Sequence, residues 1–151
     1  MINTIQISME FTKISAAATF PTRGTPHSAG FDLYLLRDID VTPGSVAKAR
    51  TGISVLLPEG YYGRVAPRSG LSTRGLCVAA GVIDRDYIGE IMVLLYTVAE
   101  PIELKAGTRI AQLVVEKYYD GYVHMNAVPG EFDRPHPGDT SSHAGFGSTG
   151  K

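Results

Sequence analysis

Residues 81–96, GVIDRDYIGEIMVLLY, pass from apolar side chains through the charged tip Asp84, Arg85, Asp86 and Tyr87 into the strongly apolar run IMVLLY. Apolar runs on both sides of a short polar tip read as a β-hairpin. The tip puts a carboxylate and an aromatic ring at the mouth of a sheet, while Gly81 and Gly89 let another molecule approach the backbone closely. That is the architecture of a pocket. Acidic residues in hairpin tips also serve simply as solvated turn formers, so the stretch alone leaves both readings open.

Outward from the hairpin the strand period recurs. Ile5, Ile7, Met9 and Phe11 alternate with Gln6, Ser8, Glu10 and Thr12, as in a strand with one buried face. Small and turn-forming residues fill 15–30, and the run FDLYLL at 31–36 carries Asp32 inside a second strand. Further strands are expected at 46–57, 61–66, 76–83, 88–98, 102–104, 109–116 and 118–123, separated by turns such as that at Pro58, Glu59 and Gly60. Pro67 ends the 61–66 strand because it has no N–H for a ladder. The loop after it has room for one helical turn from Leu71. No segment keeps a 3.6-residue apolar period over about ten residues. The pattern is all-β at sandwich spacing, and a single-domain jelly roll is the expected architecture.

At 151 residues the chain is long enough for one core without disulfide or metal staples. A formal net charge of −1 argues against coating nucleic acid, which needs a basic face to displace counterions. Cys77 is the only cysteine. With no internal disulfide partner and no Cys/His ligand spacing, it suits a reducing compartment and reads as a small buried strand residue. The longest apolar run, 91–95, is far too short to cross a bilayer, and no basic-then-apolar signal opens the sequence. An intracellular protein is expected, cytoplasmic or nuclear, not secreted and without membrane contact. Toward the C-terminus the composition shifts to Gly, Pro, Ser, Thr and His, so a β domain over 1–130 and a mobile arm over 131–151 are expected.

Four further stretches carry possible chemistry: AGFDLY at 29–34, PRSGLS at 67–72, RIAQLVV at 109–115 and GFGSTG at 145–150. The last alternates glycines with Ser148 and Thr149, so its N–H groups and hydroxyls can wrap phosphate oxygens. It lacks the spacing and the lysine of a Walker A loop, and Gly/Ser tails also serve as plain linkers. In PRSGLS, Arg68 offers a planar fork to an oxyanion, Ser69 a hydroxyl and Gly70 an open backbone N–H. The stretch also reads as an ordinary loop; with no base placed near Ser69 in sequence and no GxSxG elbow, Ser69 reads as a ligand-binding serine and not a nucleophile. Gln112 is a neutral amide in an apolar strand, satisfied structurally or touching a ligand. His27, His124, His136 and His143 share no metal-ligand spacing and read as solvated.

In this order and at these separations, the five stretches resemble the homotrimeric dUTP pyrophosphatases of the β-jelly-roll type, from AGFDLY to the final GFGSTG. The resemblance implies hydrolysis of dUTP to dUMP and pyrophosphate. It assigns uracil to the main chain around Gly81, Val82, Ile83 and Met92, and places the Tyr87 ring under the deoxyribose. Asp84 corresponds to the catalytic aspartate that activates the water attacking the α-phosphate. Arg68, Ser69, Gly70 and Gln112 correspond to the residues that hold the triphosphate, and Phe146, Gly147, Ser148 and Thr149 to the tail that closes over it. Magnesium, Mg2+, is expected on the phosphates, reached by Asp32 through water. Each site is expected to draw its hairpin, its phosphate loops and its tail from three different chains of a homotrimer. One departure stands out. The arginine that the family places five residues before the Phe of its last motif, at the terminal phosphate, is here Ser141, and Ala144 replaces one of the usual glycines. Two other readings share the fold: a dCTP deaminase, against which the intact Asp84 and Tyr87 speak, and a nucleotide-binding or regulatory protein without turnover, which Ser141 favours.

Overall fold

Period-2 burial is clearest along the fifth, ninth and tenth strands of the computed structural model, which describes residues 8–127. The elements in order are β1 (Glu10–Lys13), β2 (Gly30–Tyr34), β3 (Ile39–Val41), β4 (Ala47–Arg50), β5 (Ile53–Leu56), β6 (Tyr61–Ala66), α1 (Ser69–Ser72), β7 (Leu76–Ala80), β8 (Val82–Ile83), β9 (Met92–Thr97), β10 (Ile102–Leu104) and β11 (Arg109–Lys117). In β9, Val93, Leu95 and Thr97 are buried while Met92, Leu94 and Tyr96 are half-buried. Every ladder is antiparallel. β1 pairs with β5 and β3 with β10; a three-stranded sheet runs β4-β9-β7 and a four-stranded sheet β2-β11-β6-β8. Inward side chains from every strand but β1 join one cluster that includes Leu33, Leu76, Leu95 and Leu113, and Phe11 of β1 packs against it. This is the all-β, jelly-roll-like sandwich that the alternation predicts. Contacts divide the chain into compact units Met1–Asp120 and Gly121–Lys151, and residues 121–127 of the second form neither helix nor strand. No helix among the described residues is long and apolar enough to cross a membrane.

The structure corrects the expected hairpin. β8 and β9 do not pair with each other: β8 joins β6, and β9 lies between β4 and β7. The arm that partners β9 is β7, with Leu76 opposite Thr97 and Ala80 opposite Leu94. The connection from 81 to 91 is therefore a wide loop with a short strand folded onto the other sheet. Gly63 of β6 makes that possible, since a Cβ there would stand 2.9 Å from Leu113 Cδ1 and 3.4 Å from Ile83 Cβ. Glycine leaves the space into which Ile83 buries.

Other boundaries shift for similar local reasons. The strand expected over 46–57 breaks where the buried Thr51 hydroxyl donates to Ile91 O (2.7 Å) and accepts the Ile53 N–H (3.2 Å). The one expected over 76–83 breaks at Gly81, whose carbonyl accepts the Val65 N–H (2.9 Å). The one expected at 88–98 begins only at Met92, and 118–123 contains no strand. The helical turn begins at Ser69 instead of Leu71. Cys77, on β7, is half-buried and not fully enclosed. β3, which the sequence reading does not mark, is held by its ladder with β10, Val41 opposite Ile102. Of the strand expected from Ile5, residues 8–9 are not strand and 1–7 lie outside the described residues, as do His136, His143 and the arm at 131–151.

Neighbouring β6 and β11 are also joined by side chains. Glu116 accepts from Tyr62 Oη (2.6 Å) and from Arg64 Nη2 (2.8 Å). The Arg64 hydrogen bond first, then that of Tyr62, holds the Glu116 carboxyl below its ordinary 4.5. The Ala106 N–H does the same for Asp38, below 3.8. A carboxyl depressed in the folded state contributes stability that is present above its unfolded value and lost as pH falls through its folded one. Glu116→Gln is expected to flatten the acid side of the melting-temperature profile below about pH 4.5, the value of the unfolded carboxyl. An acid limb as steep as that of the parent would show that Glu116 does not carry it.

Candidate active site

Asp32, in the middle of β2, has a side chain only 13% exposed, and both of its carboxylate oxygens face guanidinium groups. Oδ1 lies 3.3 Å from Arg68 Nε and Oδ2 3.6 Å from Arg109 Nη1. Arg68 is steadied again where its Nη1 donates to Arg109 O (3.1 Å). Across the ladders Asp32 stands opposite Gln112, which in turn stands opposite Ala66. The Gln112 amide donates to Pro67 O (3.0 Å), and Gly30 lies so close beneath it that a Cβ would overlap Gln112 Oε1. Ser69 and Gly70 open α1 directly after Arg68; both are exposed, and a Cβ on Gly70 would meet nothing within 4 Å. The arrangement is a cation-rich ledge with a flanking amide and an open backbone, suited to an oxyanion.

Sequence reasoning missed Arg109. With strict alternation Arg109 and Gln112, three residues apart, point to opposite faces. The β11 register shifts between Arg109 and Ala111, so that Arg109 pairs with Tyr34 while Gln112 pairs with Asp32 two residues away on β2. This bulge restores both side chains to one face. The signal was present in the sequence: Ile110 and Ala111, adjacent and both apolar, are both buried, which a regular half-buried strand does not allow.

The second group surrounds a cavity of about 240 Å³ lined by Gly81, Val82, Ile83, Tyr87, Glu90 and Met92, among others. That is below the roughly 300–1,000 Å³ typical of drug-sized ligands, a space for one small ring system. The close approach expected at Gly89 is made by the chain itself, since a Cβ there would come within 2.7 Å of Tyr87 Oη. Tyr87 remains 44% exposed, and its hydroxyl donates to Glu90 O (2.7 Å). Asp84 is exposed and lines a wider groove of about 1020 Å³ with Leu56, Tyr62 and Ile88; Val82 lines both spaces.

Strand direction separates the two groups. Because β8 is antiparallel to β6, with Val82 opposite Arg64 and Ile83 opposite Gly63, the chain heads toward Tyr62 at Asp84. Arg68 lies beyond the opposite end of β6, past Ala66. From Tyr62 to Ala66 is roughly 13 Å at strand rise, so Asp84 and Arg68 of one chain sit well out of joint reach of one small group. The tail residues Phe146, Gly147, Ser148 and Thr149, with Ser141 and Ala144, lie outside the described residues.

Comparison with known proteins gives this arrangement a context. A family model described as dUTPase matches residues 16–150. The mitochondrial deoxyuridine 5'-triphosphate nucleotidohydrolase of Homo sapiens is 42% identical over 147 residues, covering 96% of this chain and 56% of that protein. The chain thus spans little more than half the length of this relative. The deoxyuridine 5'-triphosphate nucleotidohydrolase of Mus musculus is 42% identical over 146 residues, 95% of this chain and 86% of that one. Among solved structures, a dUTPase variant of phage phi11 of S. aureus, in which a structural Mg(II) ion is coordinated, superposes with a TM-score of 0.75 at 22% identity. The superposition covers 79% of this chain and 96% of that one, and shows a shared fold.

Gly30 provides a test of the ledge by itself. Gly30→Ala forces Gln112 to move and breaks its bond to Pro67, with an expected loss of about 1–3 kcal/mol from overpacking, read by denaturant unfolding. In a Gln112→Ala background the same change is expected to cost much less, because the overlapping amide is gone. Equal costs in the two backgrounds would show that Gln112 is not held against Gly30.

Proposed function

The chain belongs to the dUTPase family, and from that premise we propose that it is a dUTP diphosphatase, hydrolysing dUTP to dUMP and pyrophosphate. The observation that carries the proposal is the small cavity walled by Gly81, Val82, Ile83, Tyr87 and Met92, with Asp84 following directly in the chain. Main-chain groups of this loop take the uracil edge. Cytosine, with an amino donor where uracil has an acceptor, would leave a buried group unpaired and be rejected steeply. The Tyr87 ring packs under the deoxyribose and leaves no room for a 2'-hydroxyl.

Asp84 orients a water and takes its proton as the oxygen attacks the α-phosphorus, and the bond to the bridging oxygen breaks to release pyrophosphate. Arg68, the Gly70 N–H and the Gln112 amide hold the triphosphate, and Ser69 stands at the bridging oxygen that takes up charge. Asp32, already between two guanidiniums, orients Arg68 and retains acceptor lone pairs for a water. Among the described residues no group of three or more His, Cys, Asp or Glu forms a cage for a metal, which fits a cation carried by phosphate and water oxygens. Magnesium on the triphosphate supplies charge neutralisation.

Strand direction supports shared sites: the Asp84 loop of one chain meets the Arg68–Gln112 ledge of a second, and Phe146, Gly147, Ser148 and Thr149 of a third arm, over 131–151, close over the phosphates. The functional unit is a homotrimer acting on a small molecule inside the cell, in cytoplasm or nucleus, as the lone free Cys77 suits. Ser141 favours a second reading, binding of dUTP without turnover, because it removes a charge from the terminal phosphate.

Pyrophosphate release measured with dUTP, dCTP, dTTP and UTP is expected to be selective for dUTP, and tight binding of dUTP without release would support the second reading. Asp84→Asn is expected to lower turnover by about 10²–10⁴ while affinity for a non-hydrolysable dUTP analogue stays within about tenfold. Near-normal turnover would remove Asp84 from its role. Assembly has its own check by light scattering and mixing. A trimer is expected, and combining Asp84→Asn chains with chains truncated after Pro137 is expected to restore some activity. Demonstrated mixed trimers without recovery would mean that each chain completes its own site.

A further inference from the structure

The loop over 84–91 has no ladder of its own, and it is fastened to the turn between β4 and β5. The Gly52 N–H donates to Glu90 Oε1 (2.8 Å), and Arg50 Nε lies 3.2 and 3.1 Å from the two carboxylate oxygens. One residue on, Thr51 Oγ1 donates to Ile91 O (2.7 Å), and the Ile91 N–H to Ile53 O (2.7 Å). Gly52 can aim its N–H this way because its φ is +67°, in a place where a Cβ would also meet Ala18 Cβ at 2.9 Å. The Glu90 side chain is 15% exposed and that of Arg50 41%, so the carboxylate is sheltered, which strengthens its bond to the Gly52 N–H, while the guanidinium faces it from the solvent side. The backbone of the same residue holds the aromatic ring, for Glu90 O accepts the Tyr87 hydroxyl (2.7 Å). From below, Gly89 allows a contact with the ring that no other residue would allow. The ring position is thus set by Glu90, and Glu90 is set by Arg50 and Gly52.

We propose that this clamp determines sugar specificity: Arg50 and Glu90 are positioning residues that hold the Tyr87 ring where a 2'-hydroxyl would have to fit. The inference rests on the assignment of Tyr87 to the sugar made above. It adds that discrimination between deoxyribose and ribose depends on two side chains that touch no substrate. A single hydroxyl occupies little space, and misplacement of a site by about 1 Å is enough to change a rate by orders of magnitude. A ring that is 44% exposed and held by packing alone can shift toward its open side. A ring tied to a carbonyl, whose side chain is in turn tied to a neighbouring turn, does not.

The test compares affinities for non-hydrolysable dUTP and UTP analogues, alongside kcat/KM for dUTP and UTP, in the full chain. Glu90→Ala is expected to reduce the dUTP-over-UTP ratio about tenfold, the scale of one lost charged hydrogen bond. Glu90→Gln, which keeps an acceptor for the Gly52 N–H but loses the charge facing Arg50, is expected to fall between. Arg50→Ala added to Glu90→Ala is expected to cause little further change, since the two act as one unit. A clamp that served stability alone would lower the melting temperature and leave the ratio unmoved. That result in folded Glu90→Gln and Arg50→Ala overturns the inference, and these two milder variants carry the test should Glu90→Ala fail to fold. A parent chain that shows no preference for dUTP would instead overturn the assignment of Tyr87 to the sugar, a distinct failure.

Discussion

One extra residue in β11 decides how the ledge is built. β11 is hydrogen-bonded on both sides, to β2 and to β6, so neither neighbour can move without breaking a ladder. Its bulge lets Ile110, Ala111 and Leu113 all reach the core while Arg109 and Gln112 share the face of Asp32. Without it, one of the two polar side chains would turn into the core and lose its partners, at a cost typical of an unsatisfied buried group, about 1–3 kcal/mol. The glycine at position 30 is a consequence of the same geometry, because the Gln112 amide fills the space that a side chain would take.

The loop over 84–91 solves a different problem with the same means. A wide connection exposes many backbone polar groups, and those that are buried must find partners. Here the partners come from the β4–β5 turn, so the base of the loop at Glu90 and Ile91 is held while its tip at Asp84, Arg85 and Asp86 stands in solvent. Anchored base and open tip fit the roles proposed for Tyr87 and Asp84. The anchor uses residues that no local reading of GVIDRDYIGE would associate with it, since Arg50 and Glu90 are separated by forty positions.

Separation of Asp84 from Arg68 along β6 has a consequence for assembly. Groups at opposite ends of one strand do not converge on one small group within a chain, and the symmetric association proposed above would let the two surfaces meet across an interface. The proposed homotrimer would unite them with no change to either half.

By itself the sequence determined the fold class and named most of the polar residues that make up the candidate site. Apolar runs bounded by turn residues are a property of successive residues, and they marked the strands at 61–66, 102–104 and 109–116 closely. The residue types of AGFDLY, PRSGLS and GVIDRDY likewise carry their chemistry wherever they are placed. Tertiary structure alone decided which strands pair, so that β7 and not β8 partners β9, and it alone brought Arg109 to Asp32 and Arg50 to Glu90. The physical reason is that hydrogen-bond partners between strands are chosen by register and by the space that neighbours leave, such as that beside Gly63. Those are sums over distant residues, and no local window of the chain contains them.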